Sequence, residues 1–296
     1  MIMTGLCAFP ITPADADGKV DAVTLRVLLR RLVAAKVDSI GLLGSTGSYP
    51  YLTRAERLRA IRTAVDATEG ATPLLVGVGA LRTDDSVRLA QDAKGAGATA
   101  GLLAPVSYTP LTDDEVFEHF ATVARESQLP LCIYDNPGTT HFTFSPALLG
   151  RISRLPGIVA VKSPAPAAHS AATHLAELRR AVPEGFSVGY SVDWNAVEAL
   201  LAGGDAWYSV VSGLFPEVSM EIVRATRSKD ATEARRLNAR LQPLWELFKQ
   251  YSSLRVVYTA ADLLDICHAM PPRPILPLSG TVRQKVAETI RSLDLA

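Results

Sequence analysis

Residues 157–162 read Gly-Ile-Val-Ala-Val-Lys, a run of small and β-branched apolar residues that ends in a lysine. Pro156 precedes the run and Pro164 follows it closely, so we predict one buried strand bounded by residues that interrupt regular structure. Burial disfavours the charged form of the Lys162 side chain, and a partly neutral amine is what Schiff-base chemistry on a carbonyl compound needs. A lysine that reaches water or pairs with a carboxylate is the structural alternative.

Similar apolar runs recur along the chain and alternate with segments of helical periodicity. The runs predicted as strands are residues 5–11, 39–43, 73–78, 100–104, 131–134, 158–162, 186–190 and 206–211. Eight strands alternating with helices predict an α/β fold, a (β/α)8 TIM barrel with a parallel sheet. A doubly wound open sheet is the alternative architecture, but the sequence lacks the Gly-x-Gly-x-x-Gly motif that would follow its first strand.

Capping residues mark the start of three of the predicted helices. Thr53 with Glu56 and Thr112 with Glu115 match the capping-box pattern, and Ser145-Pro146 places an N-cap residue before a proline at the first helical position.

The strand pattern stops after residue 213, and helical patterns follow at 216–228, 231–251 and 256–268, the second of which Pro243 should kink or split. We therefore divide the chain into a barrel, residues 1–213, and a C-terminal helical extension, residues 214–296. No Gly/Ser-rich linker separates them, so we expect the extension to pack on the barrel as a single structural unit.

Composition excludes several classes of protein. The 30 basic and 30 acidic side chains balance, which argues against nucleic acid or an anionic membrane as the main partner. Cys7, Cys132 and Cys267 are widely spaced and odd in number, as expected for reduced core residues. The N-terminus has no basic signal-peptide region and no apolar run is long enough to span a bilayer, so we expect a cytoplasmic protein. The five histidines show no metal-ligand spacing, and we predict no metal site.

The polar residues of interest lie where predicted strands end, which is where barrel enzymes place their catalytic groups. The second strand ends in Gly-Ser-Thr-Gly at 44–47, the fourth in Pro-Val-Ser-Tyr at 105–108, the fifth in Tyr-Asp-Asn-Pro at 134–137, and the sixth in Lys162. Each motif alone is weakly specific, but in this order they reinforce one another.

Together these motifs resemble the dihydrodipicolinate synthase / N-acetylneuraminate lyase family of class I, pyruvate-type aldolases, from Gly5 to about Leu278. The resemblance implies a lyase that joins Lys162 to the ketone of pyruvate or a related 2-oxo acid as a Schiff base. It would then make or cleave a carbon–carbon bond with an aldehyde as second substrate, without a cofactor.

The resemblance also assigns roles to residues near the lysine. Tyr134 would move protons during catalysis, and Ser45 would take part in the same proton transfer. Ser45, Thr46 and the backbone N–H groups of the turn that includes Gly47 would bind the substrate carboxylate.

Tyr108 resembles a tyrosine that family members insert from a neighbouring subunit, although a different gap placement puts Ser107 there. Family members are usually dimers of dimers, so we expect a homotetramer.

The sequence departs from dihydrodipicolinate synthases where they bind their second substrate. Thr139 stands in place of an arginine that grips a carboxylate, and only Asp193 remains of an acidic pair found in sialic-acid lyases. Trp207 and Tyr208 predict a bulkier, more aromatic wall. We therefore expect Thr139, Asp193 and Tyr208 to contact a second substrate other than aspartate semialdehyde.

Three other functions stay open on the sequence alone. They are a Schiff-base dehydratase of a sugar-derived 2-oxo acid, a true dihydrodipicolinate synthase, and a barrel that binds a 2-oxo acid without turnover.

Overall fold

The computed structural model describes residues 3–294 and contains eight parallel strands that close into a barrel in sequence order. The strands are β1 (Gly5–Ala8), β2 (Ser39–Leu42), β3 (Leu74–Gly77), β4 (Ala100–Leu103), β5 (Leu131–Tyr134), β6 (Ile158–Pro164), β7 (Ser187–Ser191) and β8 (Ala206–Ser209). Because β8 pairs with β1, the sheet has no free edge, which confirms the TIM barrel and excludes the open sheet.

Helices surround the barrel and continue beyond its last strand. They are α1 (Ala22–Ala34), α2 (Arg54–Thr68), α3 (Thr83–Ala96), α4 (Asp113–Ser127), α5 (Pro137–Thr140), α6 (Pro146–Ile152), α7 (Ala171–Ala181), α8 (Asp193–Leu201), α9 (Pro216–Arg227), α10 (Ala231–Arg240), α11 (Gln242–Tyr251), α12 (Ser253–Leu263) and α13 (Gly280–Leu293). None of those in the described residues is long and apolar enough to cross a membrane.

The predicted helix starts are present, with one difference in detail. At α4 and α6 the N-caps Thr112 and Ser145 accept backbone N–H groups as predicted. At α2, Thr53 accepts the N–H of Glu56, but the Glu56 carboxylate accepts the N–H of Val20 at 2.7 Å instead of returning to Thr53. The capping box at α2 is therefore half formed, because its acidic residue ties the helix to the segment ahead of α1.

The C-terminal helices agree with the prediction at their start and differ from it further along the chain. The first of them, α9, matches the predicted segment 216–228 to within one residue and packs on β1, and the division of the chain at residue 213 stays a prediction. Pro243 lies in the first turn of α11 and splits the predicted helix at that point. The last helix, α13, was not predicted, and its buried residues Val286, Ile290 and Leu293 follow helical spacing that the sequence already shows.

Side chains on each strand alternate between the barrel interior and the layer beneath the helices. On β8, Trp207 packs beneath the helices, whereas Tyr208 packs inside the barrel with Cys7, Phe9 and Tyr134. The expectation that Trp207 joins Tyr208 in the wall of the site is therefore wrong, because adjacent residues on a strand face opposite sides. Cysteines 7, 132 and 267 are all buried and free.

Candidate active site

Lys162 lies on β6 with only 3% of its surface exposed. Its register partner on β5 is Tyr134, so the two side chains project together toward the carboxyl end of the barrel. Among the described residues no carboxylate pairs with the Lys162 ammonium group. The side chain instead lies over aromatic rings, with Nζ 3.6 Å from the ring centre of Phe9, 4.5 Å from that of Tyr134 and 5.8 Å from that of Tyr208. The structure thus brings the predicted lysine and tyrosine together.

Phe9 is a site residue that the sequence analysis did not identify. It follows β1 directly, and its ring fills space that a side chain at Gly44 would need, since a Cβ there would lie 2.5 Å from the Phe9 ring. The ring therefore packs between Lys162 and the turn after β2. Cys7 and Phe9 both face the barrel interior, so alternation along the first predicted strand was the signal that could have found it.

A chain of hydrogen bonds links three polar side chains beside the lysine. Ser45 Oγ and Tyr134 Oη lie 3.3 Å apart, and Asn136 Nδ2 donates to Tyr134 Oη at 2.9 Å. Because the Asn136 amide occupies the phenol oxygen as a donor, the phenol proton is free to point toward Ser45 or a bound substrate. This arrangement can pass a proton between Ser45 and an atom held near Lys162.

The turn after β2 approaches its neighbours closely. A Cβ at Gly47 would lie 2.9 Å from Thr12 Oγ1 and 3.0 Å from the backbone of Leu43, so only glycine fits without movement. Thr46 is buried and Ser45 is half-buried, which leaves both hydroxyls beside the lysine rather than in bulk solvent.

A cavity of about 630 Å³ opens at the carboxyl ends of the strands. Most of the predicted site residues line it: Ser45, Thr46, Tyr134, Thr139, Lys162, Asp193 and Tyr208. Gly47 and Tyr108 are not among its lining residues. The described residues contain no group of three or more His, Cys, Asp or Glu side chains placed to hold a metal ion.

The Asp193 carboxylate, in the lining of this cavity, accepts hydrogen bonds from groups of the same chain. Its carboxylate accepts the indole N–H of Trp207 at 2.9 Å and the backbone N–H groups of Val210 and Val211 at 3.1 Å and 2.8 Å. Burial raises its pKa to about 6 against the effect of these hydrogen bonds. Asp193 therefore fixes the start of α8 against the segment after β8, and its predicted contact with substrate stays a prediction.

Tyr208 is fully buried, and its hydroxyl lies 3.6 Å from Cys132 Sγ inside the barrel. Burial raises the pKa of Tyr208 well above its ordinary value, so this phenol stays protonated. Thr139, by contrast, is exposed in the short helix α5, and its hydroxyl donates to the carbonyl oxygen of Asn136.

Tyr108 is 96% exposed in the single chain. The neighbouring Ser107 donates its hydroxyl to the carbonyl oxygen of Thr109 and is therefore engaged within its own loop. Of Ser107 and Tyr108, only Tyr108 presents a largely exposed side chain.

Val192 is a conformational outlier at the end of β7. Its φ of 66° and ψ of 76° are left-handed, which for a β-branched residue costs on the order of 1–3 kcal/mol. Val192 is among the residues that line the cavity, and it also packs against the hydrophobic core. Strain of this kind persists where the surrounding structure holds it in place, and here the hydrogen bonds of the adjacent Asp193 do so.

Asp135 lies next to Tyr134 but faces away from the barrel interior. Its Oδ1 is buried without a hydrogen-bond partner among the described residues, and Ser163 Oγ donates weakly to Oδ2 at 3.5 Å. Burial raises the pKa of this carboxyl to about 6. Between about pH 4 and pH 6 the folded protein therefore binds more protons here than the unfolded chain, so stability falls as pH rises through that window.

Asp135→Asn should remove this pH dependence. We expect the variant to exceed the wild type in free energy of unfolding by on the order of 1–3 kcal/mol at pH 7.5, with little difference at pH 4. Urea unfolding at both pH values measures the two differences. Asp193 is present in both proteins, so its contribution to the pH dependence cancels in the difference between their free energies of unfolding. An equal difference at both pH values, or a less stable variant at pH 7.5, would contradict the assignment.

Comparison with known proteins agrees with this geometry. The model of the dihydrodipicolinate synthetase family matches residues 2–293. A 4-hydroxy-tetrahydrodipicolinate synthase from Methylococcus capsulatus is 31% identical over 95% of each chain. A crystal structure of dihydrodipicolinate synthase from Agrobacterium tumefaciens is 54% identical and covers 98% of each chain with a TM-score of 0.96. That from Aquifex aeolicus is 28% identical, covers 99% of each chain and has a TM-score of 0.91.

The fold and its site define a carbon–carbon lyase of the class I pyruvate aldolase type. The chain belongs to the dihydrodipicolinate synthetase family.

Proposed function

We propose that Lys162 forms a Schiff base with pyruvate or a related 2-oxo acid, and that the enamine formed from it makes or cleaves a carbon–carbon bond. The observation that carries this proposal is the Lys162 amine itself. It is buried, has no carboxylate partner among the described residues, and lies beside the Tyr134–Ser45 pair at the floor of a cavity. An isolated buried amine of this kind has a desolvation cost that a structural role does not explain.

The steps follow from the neighbouring groups. Lys162 Nζ attacks the ketone carbon, one proton of the amine passes to the oxygen, and Tyr134 supplies the second proton, so that the oxygen leaves as water and an iminium remains. The Tyr134 oxygen, now without its proton, takes a proton from the carbon next to the iminium, giving an enamine. This carbon attacks the aldehyde carbon, and the resulting alkoxide takes the proton back from Tyr134, which accepts the proton released when the new iminium is hydrolysed. Hydrolysis of the new iminium returns Lys162 and releases the product, and cleavage is the same sequence reversed.

Two features would stabilise the charges in this sequence. The iminium keeps a positive charge, and the Phe9 ring, 3.6 Å from Nζ, attracts that charge. The substrate carboxylate would lie at the turn after β2, where the hydroxyls of Ser45 and Thr46 and the backbone N–H groups up to Gly47 can donate hydrogen bonds.

The second substrate, in this proposal, differs from the carboxylate-bearing aldehyde of a dihydrodipicolinate synthase. Thr139 lies at the cavity and directs its hydroxyl to the Asn136 carbonyl, so it provides no cation for a second carboxylate. The Agrobacterium tumefaciens relative carries the name dihydrodipicolinate synthase, and that activity is the competing assignment. Comparing turnover of pyruvate with aspartate semialdehyde and with uncharged aldehydes decides between them.

Deuterium exchange tests the proposed chemistry without knowledge of the aldehyde. Enamine formation removes a proton from the methyl group of pyruvate, so in D₂O the protein should replace the methyl hydrogens with deuterium in the absence of any second substrate. Proton NMR follows the loss of the methyl signal. A barrel that only binds the 2-oxo acid would leave the signal unchanged.

Product analysis separates a dehydratase of a sugar-derived 2-oxo acid from the proposed lyase, since a dehydratase releases no aldehyde.

We further propose a homotetramer in the cytoplasm. The exposed Tyr108 ring supports an assembly in which this side chain enters a neighbouring subunit, and the three free buried cysteines suit a reducing compartment. Sedimentation velocity tests the assembly. A Tyr108→Ala variant that sediments and turns over like the wild type would remove the intersubunit role.

A further inference from the structure

Several polar side chains that line the cavity are already engaged within the chain. Thr139 and Thr140 donate to the Asn136 carbonyl, Ser191 donates to the Ser163 carbonyl, and the Asp193 carboxylate accepts three N–H groups. These side chains are therefore not free to bind the hydroxyl groups of a sugar, and the lining has further hydroxyl groups at Tyr49, Tyr51, Ser252 and Ser253.

The cavity lining also contains little positive charge. The described residues that line the cavity include no arginine or histidine, and their only cation is Lys162, which the Schiff base occupies. A second carboxylate placed here would lose its hydration without gaining a partner, which is strongly unfavourable.

Apolar side chains contribute much of the remaining wall. Val106, Val192 and Val210 follow strand ends, Trp194 lies in the first turn of α8, Phe248 lies in α11, and Ile275 lies between α12 and α13. The C-terminal extension thus adds apolar surface to the cavity.

We infer that the acceptor side of this cavity takes an uncharged aldehyde with an apolar ring or branched substituent, and that Val192 is a specificity-determining residue for it. The inference rests on the proposed Schiff-base function and names the class of its second substrate. In the cleavage direction the same aldehyde is the product.

The strained backbone of Val192 supports this assignment independently of the composition of the wall. Glycine would adopt φ of 66° without strain, yet this chain holds a valine there in the lining of the cavity. Backbone strain that the fold maintains at a cavity indicates a functional use of the side chain.

A matched pair of aldehydes provides the test. Benzaldehyde and 4-carboxybenzaldehyde differ by one carboxylate, and glyceraldehyde represents the polyhydroxyl class. With pyruvate as donor, we expect kcat/KM for benzaldehyde to exceed that for each of the other two by at least roughly ten-fold.

Two substitutions then locate the preference. Thr139→Arg should raise kcat/KM for 4-carboxybenzaldehyde by roughly ten-fold or more, because it adds a carboxylate partner. Val192→Gly should lower kcat/KM for benzaldehyde by roughly ten-fold, mainly through KM, without lowering the melting temperature. Val192→Thr keeps the side-chain shape and the backbone strain but adds a hydroxyl, so it should also lower kcat/KM for benzaldehyde. Val23→Thr, on the exposed face of α1, is the control and should change nothing.

The outcomes separate this inference from the proposed function. Equal or better use of 4-carboxybenzaldehyde or glyceraldehyde overturns the inference, as does normal benzaldehyde kinetics in Val192→Gly. If none of the aldehydes reacts while pyruvate still exchanges its methyl hydrogens in D₂O, the Schiff-base function stands and the acceptor inference is wrong. If pyruvate shows no exchange at all, the proposed function itself fails.

Discussion

Replacing Lys162 with alanine should lower turnover by roughly 10⁴-fold or more, the loss expected when a covalent nucleophile is removed. The physical reason is that, among the described residues, no other lysine lines the cavity, so no other side chain there can form the imine. The substitution removes a buried polar group that has no carboxylate partner among the described residues, and we therefore expect the variant to stay folded. Circular dichroism checks the fold, and methyl deuterium exchange of pyruvate measures the chemistry.

Lys162→Arg separates the nucleophile from the charge. Guanidinium keeps the positive charge over the Phe9 ring but does not form an imine with a ketone, so this variant should be as inactive as Lys162→Ala. Lys94→Ala, on the exposed side of α3, should behave like the wild type. Near-normal exchange by a folded Lys162→Ala protein would eliminate the Schiff-base account.

Tyr134→Phe should lower kcat by roughly 10²- to 10⁴-fold, as for removal of a general acid–base group. The substitution deletes one oxygen and leaves the ring over Lys162, so binding of pyruvate should change much less than turnover. A large loss of kcat with pyruvate binding retained is a result that a purely structural role for the hydroxyl would not give. Tyr251→Phe, on α11 and outside the cavity lining, serves as the control.

Ser45→Ala tests whether the two hydroxyls act together. The hydroxyl oxygens of Ser45 and Tyr134 lie 3.3 Å apart. Removing one hydroxyl should therefore lower kcat far less in a variant that already lacks the other. If the losses in kcat of the two single variants multiply in the double variant, Ser45 and Tyr134 do not form one relay. A Tyr134→Phe enzyme within two-fold of the wild type would remove the tyrosine from the mechanism.

The sequence could predict the barrel and the meeting of Lys162 with Tyr134 because both follow from local rules. Alternating apolar runs and helical segments indicate a parallel barrel, and its carboxyl edge collects the strand ends. The structure places these two residues in register on neighbouring strands. The split at Pro243 followed in the same way from the missing backbone donor of proline.

Other parts of the site depend on contacts between distant segments and could not be predicted. Nothing in the sequence shows that Phe9 packs against the turn at Gly44, or that Asp193 is held by the segment after β8. The left-handed conformation of Val192 opposes the intrinsic preference of valine, so local propensity predicts the reverse. The outward orientation of Trp207 depends on the register of one residue, and a shift by one reverses it.

Trapping the imine is the most direct test of Schiff-base formation at Lys162. The protein is incubated with pyruvate, reduced with borohydride, and analysed by intact and peptide mass spectrometry. We expect a single covalent adduct of the reduced 2-oxo acid on the peptide that contains Lys162, absent from Lys162→Ala. Failure of pyruvate and of longer 2-oxo acids to leave any adduct, or an adduct on another lysine in the active protein, would contradict Schiff-base formation at this residue.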